Sequence, residues 1–286
     1  MKIAIVGNKG FIGKNIVGSD NFADDDLVLF NSNQSIWASQ QNLKAEFLEC
    51  ESVIWAAGKV NPILAESKPE LVKLEINEFT KVVDMLVSNN SINLPRLIFL
   101  SSGGCTYTAL RSTYREDDQA LGINVYGKMK IDQENILTER IPNSVIVRLS
   151  NVYGPGQPAG RGQGVIAEWF NSLKIGQTPK VYGNLNSTRD YLHIKDTITA
   201  IKLLTRSKTS GVINIGSGME TTLKELTEVF SQILSLSFTF EMKEKRNFDR
   251  MKYRLDIEKA KSELLWIPKI DIYSGIISLF HNSIQE

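Results

Sequence analysis

Tyr126 and Lys130 stand four residues apart in Tyr126-Gly127-Lys128-Met129-Lys130, a spacing that puts a phenol and an ammonium on one face of a helix. Such a pair can share one proton-transfer site. A tyrosine of pKa about 10 is a poor base at neutral pH, but a neighbouring ammonium favours its phenolate. The same spacing recurs in Tyr191-Leu192-His193-Ile194-Lys195, which reads as extended, so that four residues span about 13 Å and form no compact pair. Upstream, Leu100-Ser101-Ser102-Gly103-Gly104-Cys105 closes an apolar run with hydroxyls that could share a substrate oxygen with the Tyr126 phenol.

A second constellation opens the chain. Gly7-Asn8-Lys9-Gly10-Phe11-Ile12-Gly13 follows the apolar run 2–6 and begins a helix, which sets bare backbone and a positive helix end where a pyrophosphate can sit. Glycine is needed there because a Cβ at the turn would hold the phosphates away. An NAD site also expects a carboxylate at the end of the second strand, to accept hydrogen bonds from the adenosine ribose. That position is Asn31, and no arginine stands nearby to clamp a 2′-phosphate. NAD and NADP both stay open, with NAD preferred.

These groups need a frame, and the hydrophobic pattern supplies one. Short apolar runs at 2–6, 27–30, 53–57, 97–101 and 145–149 alternate with amphipathic stretches at about 11–18, 66–90 and 123–140, as in a parallel sheet covered on both faces by helices. From Gly154 to Gly164 the chain turns glycine-dense, which marks a boundary. The expected architecture is a Rossmann-type doubly wound α/β domain over 1–153 and about 190–206, with a smaller α/β lobe over 154–189 and 207–286. That lobe takes strands at 180–183 and 211–215 and helices near 221–234 and 256–265. Region 31–50 is thin, with one short apolar group where a strand and helix would be expected.

Composition excludes other classes. The 286 residues are 42% hydrophobic and 23% charged, with 33 basic against 32 acidic groups, an ordinary globular balance with no field to attract nucleic acid. Two cysteines and two histidines cannot furnish a structural zinc site, so no metal is expected. No apolar run reaches the roughly 18 residues of a membrane span, and the sparse cysteines argue for the cytoplasm.

With these residues assembled, the chain resembles the extended short-chain dehydrogenase/reductase family, specifically the sugar-nucleotide epimerases and dehydratases typified by UDP-galactose 4-epimerase. Further motifs carry the likeness in order: Arg148-Leu149-Ser150-Asn151-Val152-Tyr153-Gly154-Pro155, Arg189-Asp190-Tyr191-Leu192-His193-Ile194-Lys195-Asp196, Asn214-Ile215-Gly216-Ser217-Gly218, Arg246 with Asp249, and Leu265-Trp266-Ile267-Pro268. The resemblance implies NAD or NADP over Gly7, Gly10, Phe11, Ile12, Gly13, Asn31, Ala56, Ala57, Gly58 and Ser101, with Lys130 on the nicotinamide ribose and Tyr126, Lys130 and a serine as the catalytic set. It implies a nucleotide-diphosphate sugar held by Asn151, Arg189, Arg246 and Asp249, and a homodimer packed through the helices near 66–90 and 123–140.

Departures narrow the reaction. The family's catalytic serine or threonine falls on Gly103, leaving Ser102 as the substitute, and the acidic positions of the 4,6-dehydratases are Gly104 and Cys105. Dehydration therefore lacks its acid and base. The leading expectation is a nucleotide-sugar 4-epimerase of surface-polysaccharide or sugar-nucleotide metabolism. The runner-up is a one-way NAD(P)H-dependent 4-keto-6-deoxysugar nucleotide reductase. A non-catalytic dinucleotide sensor comes third, since a sensor needs no proton relay.

Overall fold

The computed structural model describes residues 1–88, 94–108, 111–160, 163–235, 237, 239–244 and 251–282. Six parallel strands form its central sheet: β1 (Lys2–Val6), β2 (Asp26–Phe30), β3 (Ser52–Trp55), β4 (Arg96–Ser102), β5 (Val145–Leu149) and β6 (Gly211–Ile215). Their order is β6-β5-β4-β3-β1-β2. The chain runs outward from β1 to β2 and then returns to lay β3 on the other side of β1. This reversal opens a crevice at the carboxyl ends of β1 and β3, where a doubly wound sheet binds its ligand.

Both faces of the sheet are covered, which is why its strands do not alternate polar and apolar. Ile3 and Ile5 face a core built with Ile194, Ile198, Ile201 and Leu204 of the Ile194–Arg206 helix. Ala4 and Val6 face the opposite core, built with Phe79, Val83 and Leu86 of the Pro69–Ser88 helix. The expected 66–90 helix is two pieces, Pro62–Ser67 and Pro69–Ser88, because the residue before a proline is driven out of helical geometry. Lys68 has φ −138° and ψ 69°.

The thin region 31–50 makes no further strand of the main sheet. It folds as a small antiparallel hairpin, Trp37–Ser39 with Asn42–Leu43, followed by one helical turn. Phe47 and Leu43 plug the core beneath it. β2 is therefore the edge of the main sheet.

The domain boundary differs from the sequence expectation. Gly211–Ile215, assigned above to the small lobe, is β6 of the main sheet and pairs residue for residue with β5. Ala260, Leu264 and Trp266 also pack on the main sheet. An Ile-rich run announces a strand, but only the long-range pairing decides which sheet receives it. A third core gathers Tyr153, Trp169, Val181, Leu226, Phe230 and Ile276, with the Trp169 indole N–H donating to the Lys180 carbonyl at 2.8 Å.

Candidate functional site

The glycine loop is built by close approach. Gly7 has φ +94°, and a Cβ there would lie 2.7 Å from the Ala57 nitrogen and 2.8 Å from the Ala56 carbonyl, so the loop after β1 rests directly on the loop after β3. A Cβ on Gly13 would overlap the Gly7 carbonyl oxygen. Gly10 caps the Phe11–Val17 helix, and its own Cβ would meet only the Gly7 oxygen, at 3.3 Å. Phe11 and Ile12 form the first turn and pack on the core. The result is a bare backbone cradle at the crevice, which fits the pyrophosphate of a dinucleotide.

Asn31 follows β2 and closes the loop on its outer side. Its amide donates to Asn8 Oδ1 at 2.9 Å, and its oxygen accepts from the backbone of Asn33 and Gln34 at 2.9 and 3.2 Å. The side chain is thus fixed in a neutral turn beside the cradle. No charge on it would repel a 2′-phosphate.

Tyr126 and Lys130 lie on the Val125–Arg140 helix. Asn124 caps that helix by accepting from the Gly127 N–H at 2.7 Å, and a Cβ on Gly127 would overlap the Cys105 carbonyl. This contact draws the helix against the end of β4. Lys130 is buried, with Nζ 5.8 Å from the Tyr126 ring centre and 4.8 Å from that of Phe99. Burial pushes the Tyr126 phenol well above its ordinary range, with Cys105 and Glu75 adding to the rise. Burial lowers the Lys130 ammonium, against the opposing pull of Glu75 and Glu134. Left alone the pair is a protonated phenol, and a nearby positive charge is needed to release its proton.

The two serines part company. Ser102 ends β4, its hydroxyl makes no capping hydrogen bond, and it lines the same cavity as Tyr126. Ser101, expected on the cofactor, is buried and its hydroxyl donates to Glu134. Glu134 also holds the buried Arg148 guanidinium, Oε2 to Nη2 at 2.6 Å, and Arg148 lies 4.6 Å from the Tyr107 ring centre. Ser101 thus belongs to a buried ion-pair network with Glu134 of the Val125–Arg140 helix.

The shared cavity has a volume of about 360 Å³. Ser102, Cys105, Tyr126, Asn151, Tyr182 and Arg189 are among the residues that line it. The Asn151 amide donates to the Asp190 carbonyl at 3.2 Å and Arg189 Nη1 to the Thr188 carbonyl at 2.7 Å. Asp190 is fully buried and accepts from Ser217, Gly218 and Leu255, fastening three segments below the cavity. Arg246 and Asp249 lie outside the described residues. No group of three or more metal-ligating side chains occurs among the described residues. Among them, too, no helix is long and apolar enough to cross a membrane.

Two residues near the site escaped the sequence reading. Tyr253 brings its hydroxyl 2.5 Å from the point a Cβ on Gly103 would occupy, so this glycine makes room for a phenol from the far end of the chain. Glu75 is a carboxylate on the buried stripe Val72, Glu75, Phe79, Val82 of its helix. A charge in an apolar stripe is a signal that could have been read.

A family model described as the NAD dependent epimerase/dehydratase family matches residues 3–216. The UDP-glucose 4-epimerase of Mycolicibacterium smegmatis is 26% identical, with 100% of both chains covered. A dTDP-4-dehydro-6-deoxyglucose reductase of Escherichia coli is 32% identical over 64% of this chain and 60% of its own. The crystal structure of Thermotoga maritima UDP-glucose 4-epimerase with UDP-glucose superposes with a TM-score of 0.86 at 23% identity, covering 100% of both chains.

Proposed function

The chain belongs to the NAD dependent epimerase/dehydratase family, and on that premise we propose that it is a nucleotide-sugar 4-epimerase acting on a UDP-hexose. The observation that supports this most is that Ser102, Tyr126, Asn151 and Arg189, drawn from distant parts of the chain, open onto one cavity. Gly7, Gly10, Gly13 and the Ala56–Gly58 loop would hold the dinucleotide, which when bound supplies a hydride acceptor and donor for the sugar C4. Tyr126 takes the proton of the C4 hydroxyl and later returns it. Lys130 keeps a positive charge one helical turn away, which lowers the cost of the phenolate. Ser102 donates a hydrogen bond to the same oxygen as its carbonyl character grows. Asn151 and Arg189 bind the diphosphate, a guanidinium being suited to bidentate contact with phosphate; Arg246 and Asp249 complete the sugar-nucleotide set in this reading.

The neutral Asn31 turn favours a second reading, a one-way 4-keto-6-deoxysugar nucleotide reductase, because a loosely specified adenosine end suits a cofactor that exchanges. Incubation with UDP-galactose deuterated at C4 and NAD, followed by NMR, separates the two. Epimerase action yields UDP-glucose with the label kept at C4. Failure to interconvert, together with NADPH consumption on a dTDP-4-keto-6-deoxyhexose, would replace it with the reductase.

The substrate and cofactor are charged metabolites that do not cross membranes unaided, which places the enzyme in the cytoplasm in this reading. A homodimer through the Pro69–Ser88 and Val125–Arg140 helices would meet through Lys73, Asn77, Lys81, Asp84, Lys128 and Asp132, all exposed. Leu74 and Val87, also exposed on the Pro69–Ser88 helix, would add apolar contact to that seam.

A further inference from the structure

We propose that Glu75 is a cofactor-binding residue, its Oε1 accepting a hydrogen bond from a hydroxyl of the ribose on the nicotinamide side of the dinucleotide, the same ribose that Lys130 holds. This rests on the dinucleotide reading of the crevice given above.

Glu75 is 8% exposed, and its two oxygens have different fates. Oε2 accepts from the backbone N–H groups of Lys59 and Val60 at 2.8 and 3.0 Å, which fixes the loop after β3. Oε1 is buried and has no hydrogen-bond partner. It lies 3.6 Å from the point a Cβ on Gly58 would occupy, in the same loop that rests on Gly7. The orphaned oxygen therefore lies beside the loop on which Gly7 rests. An unpaired carboxylate oxygen away from water is costly, and such a group persists where a ligand or water completes it.

Lys130 presents the complementary deficit. Its Nζ is buried against two aromatic rings, and among the described residues it forms no ion pair. The other nearby carboxylate, Glu134, is engaged by Arg148 and Ser101. Glu75 lies near enough to favour the Lys130 ammonium, and no ion pair joins the two. A vicinal diol suits both groups: one hydroxyl can donate to the carboxylate while its oxygens accept from the ammonium. A phosphate does not, since it would face Glu75 charge to charge. Glu75 also lies outside the lining of the substrate cavity, which leaves the cofactor side.

The test is binding, measured by calorimetry on the full chain with NAD, ADP-ribose and ADP. The first two carry the second ribose and the third lacks it. Glu75→Gln keeps an acceptor for Lys59 and Val60 but removes the charge. It should weaken NAD and ADP-ribose by about tenfold or more and leave ADP within about twofold. Glu75→Ala, which also frees the loop, should weaken all three. Unchanged NAD and ADP-ribose affinity in Glu75→Gln, or an equal loss for ADP, would overturn the proposal and leave Glu75 as a loop anchor completed by water. A wild-type protein that binds none of the three would overturn the dinucleotide reading itself.

Discussion

Lys130 sits one helical turn beyond Tyr126, its ammonium 5.8 Å from the phenol ring centre and almost wholly shielded from water. In so dry a setting a positive charge acts strongly on its neighbour. Replacing it with a methionine of similar length should raise the Tyr126 pKa further. The acid limb of the pH–rate profile then moves to higher pH, and kcat near neutrality falls about a hundredfold. A profile whose limb stays in place in Lys130→Met would show that the ammonium does not govern the phenol.

The glycine cradle separates two kinds of glycine. Gly13→Ala forces a Cβ onto the Gly7 carbonyl and should destabilise the fold, seen as a lowered Tm. Gly10→Ala meets only one oxygen, at 3.3 Å, so its Tm should hold while NAD affinity drops, because the new methyl crowds the crevice. Equal NAD affinity in wild type and Gly10→Ala would remove that position from the cofactor site.

Arg189 lines the same cavity as Tyr126, half-buried. Arg189→Met should raise KM for UDP-glucose by about ten- to a hundredfold with a smaller change in kcat, the signature of lost phosphate binding. A KM at the wild-type value would take the guanidinium off the diphosphate.

His193 gives the fold a pH dependence independent of catalysis. It is 1% exposed, it caps the Ile194–Arg206 helix by accepting from the Lys195 N–H at 3.3 Å, and its Nε2 lies 3.2 Å from Ser278 Oγ. Burial and Lys195 lower its pKa to about 4. The unfolded chain, with an ordinary histidine, binds the proton first as pH falls through about 6.5, so stability declines from there down to about pH 4. Between about pH 7 and about pH 5 this one group removes about 2 kcal/mol. Urea unfolding of wild type and His193→Gln at both values should show the stability gap between them shrinking by that amount at the lower pH. An unchanged gap would contradict it.

The parts of this site that lie close together in the chain were legible from sequence. Gly7 to Gly13 and Tyr126 to Lys130 are each set by local geometry, so spacing alone placed them on a turn and on one helix face. The parallel sheet was legible for the same reason, through runs such as Ala4-Ile5-Val6. What escaped was made by contacts distant in sequence. Nothing near Ser101 says that its hydroxyl turns toward Glu134 rather than the crevice. Nothing near Gly103 announces Tyr253, 150 residues on. The apolar run at 211–215 announces a strand, but its place in the main sheet is set by β5, far upstream.

Tyr126→Phe tests the central claim most directly, because it deletes one oxygen and keeps the ring that walls the cavity. With calorimetric Kd values for NAD and UDP matching wild type within about twofold, kcat for interconversion of UDP-galactose and UDP-glucose should fall about a thousandfold. A variant that binds both ligands normally and still epimerises within about tenfold of the wild-type rate would contradict the assignment of proton transfer to this phenol.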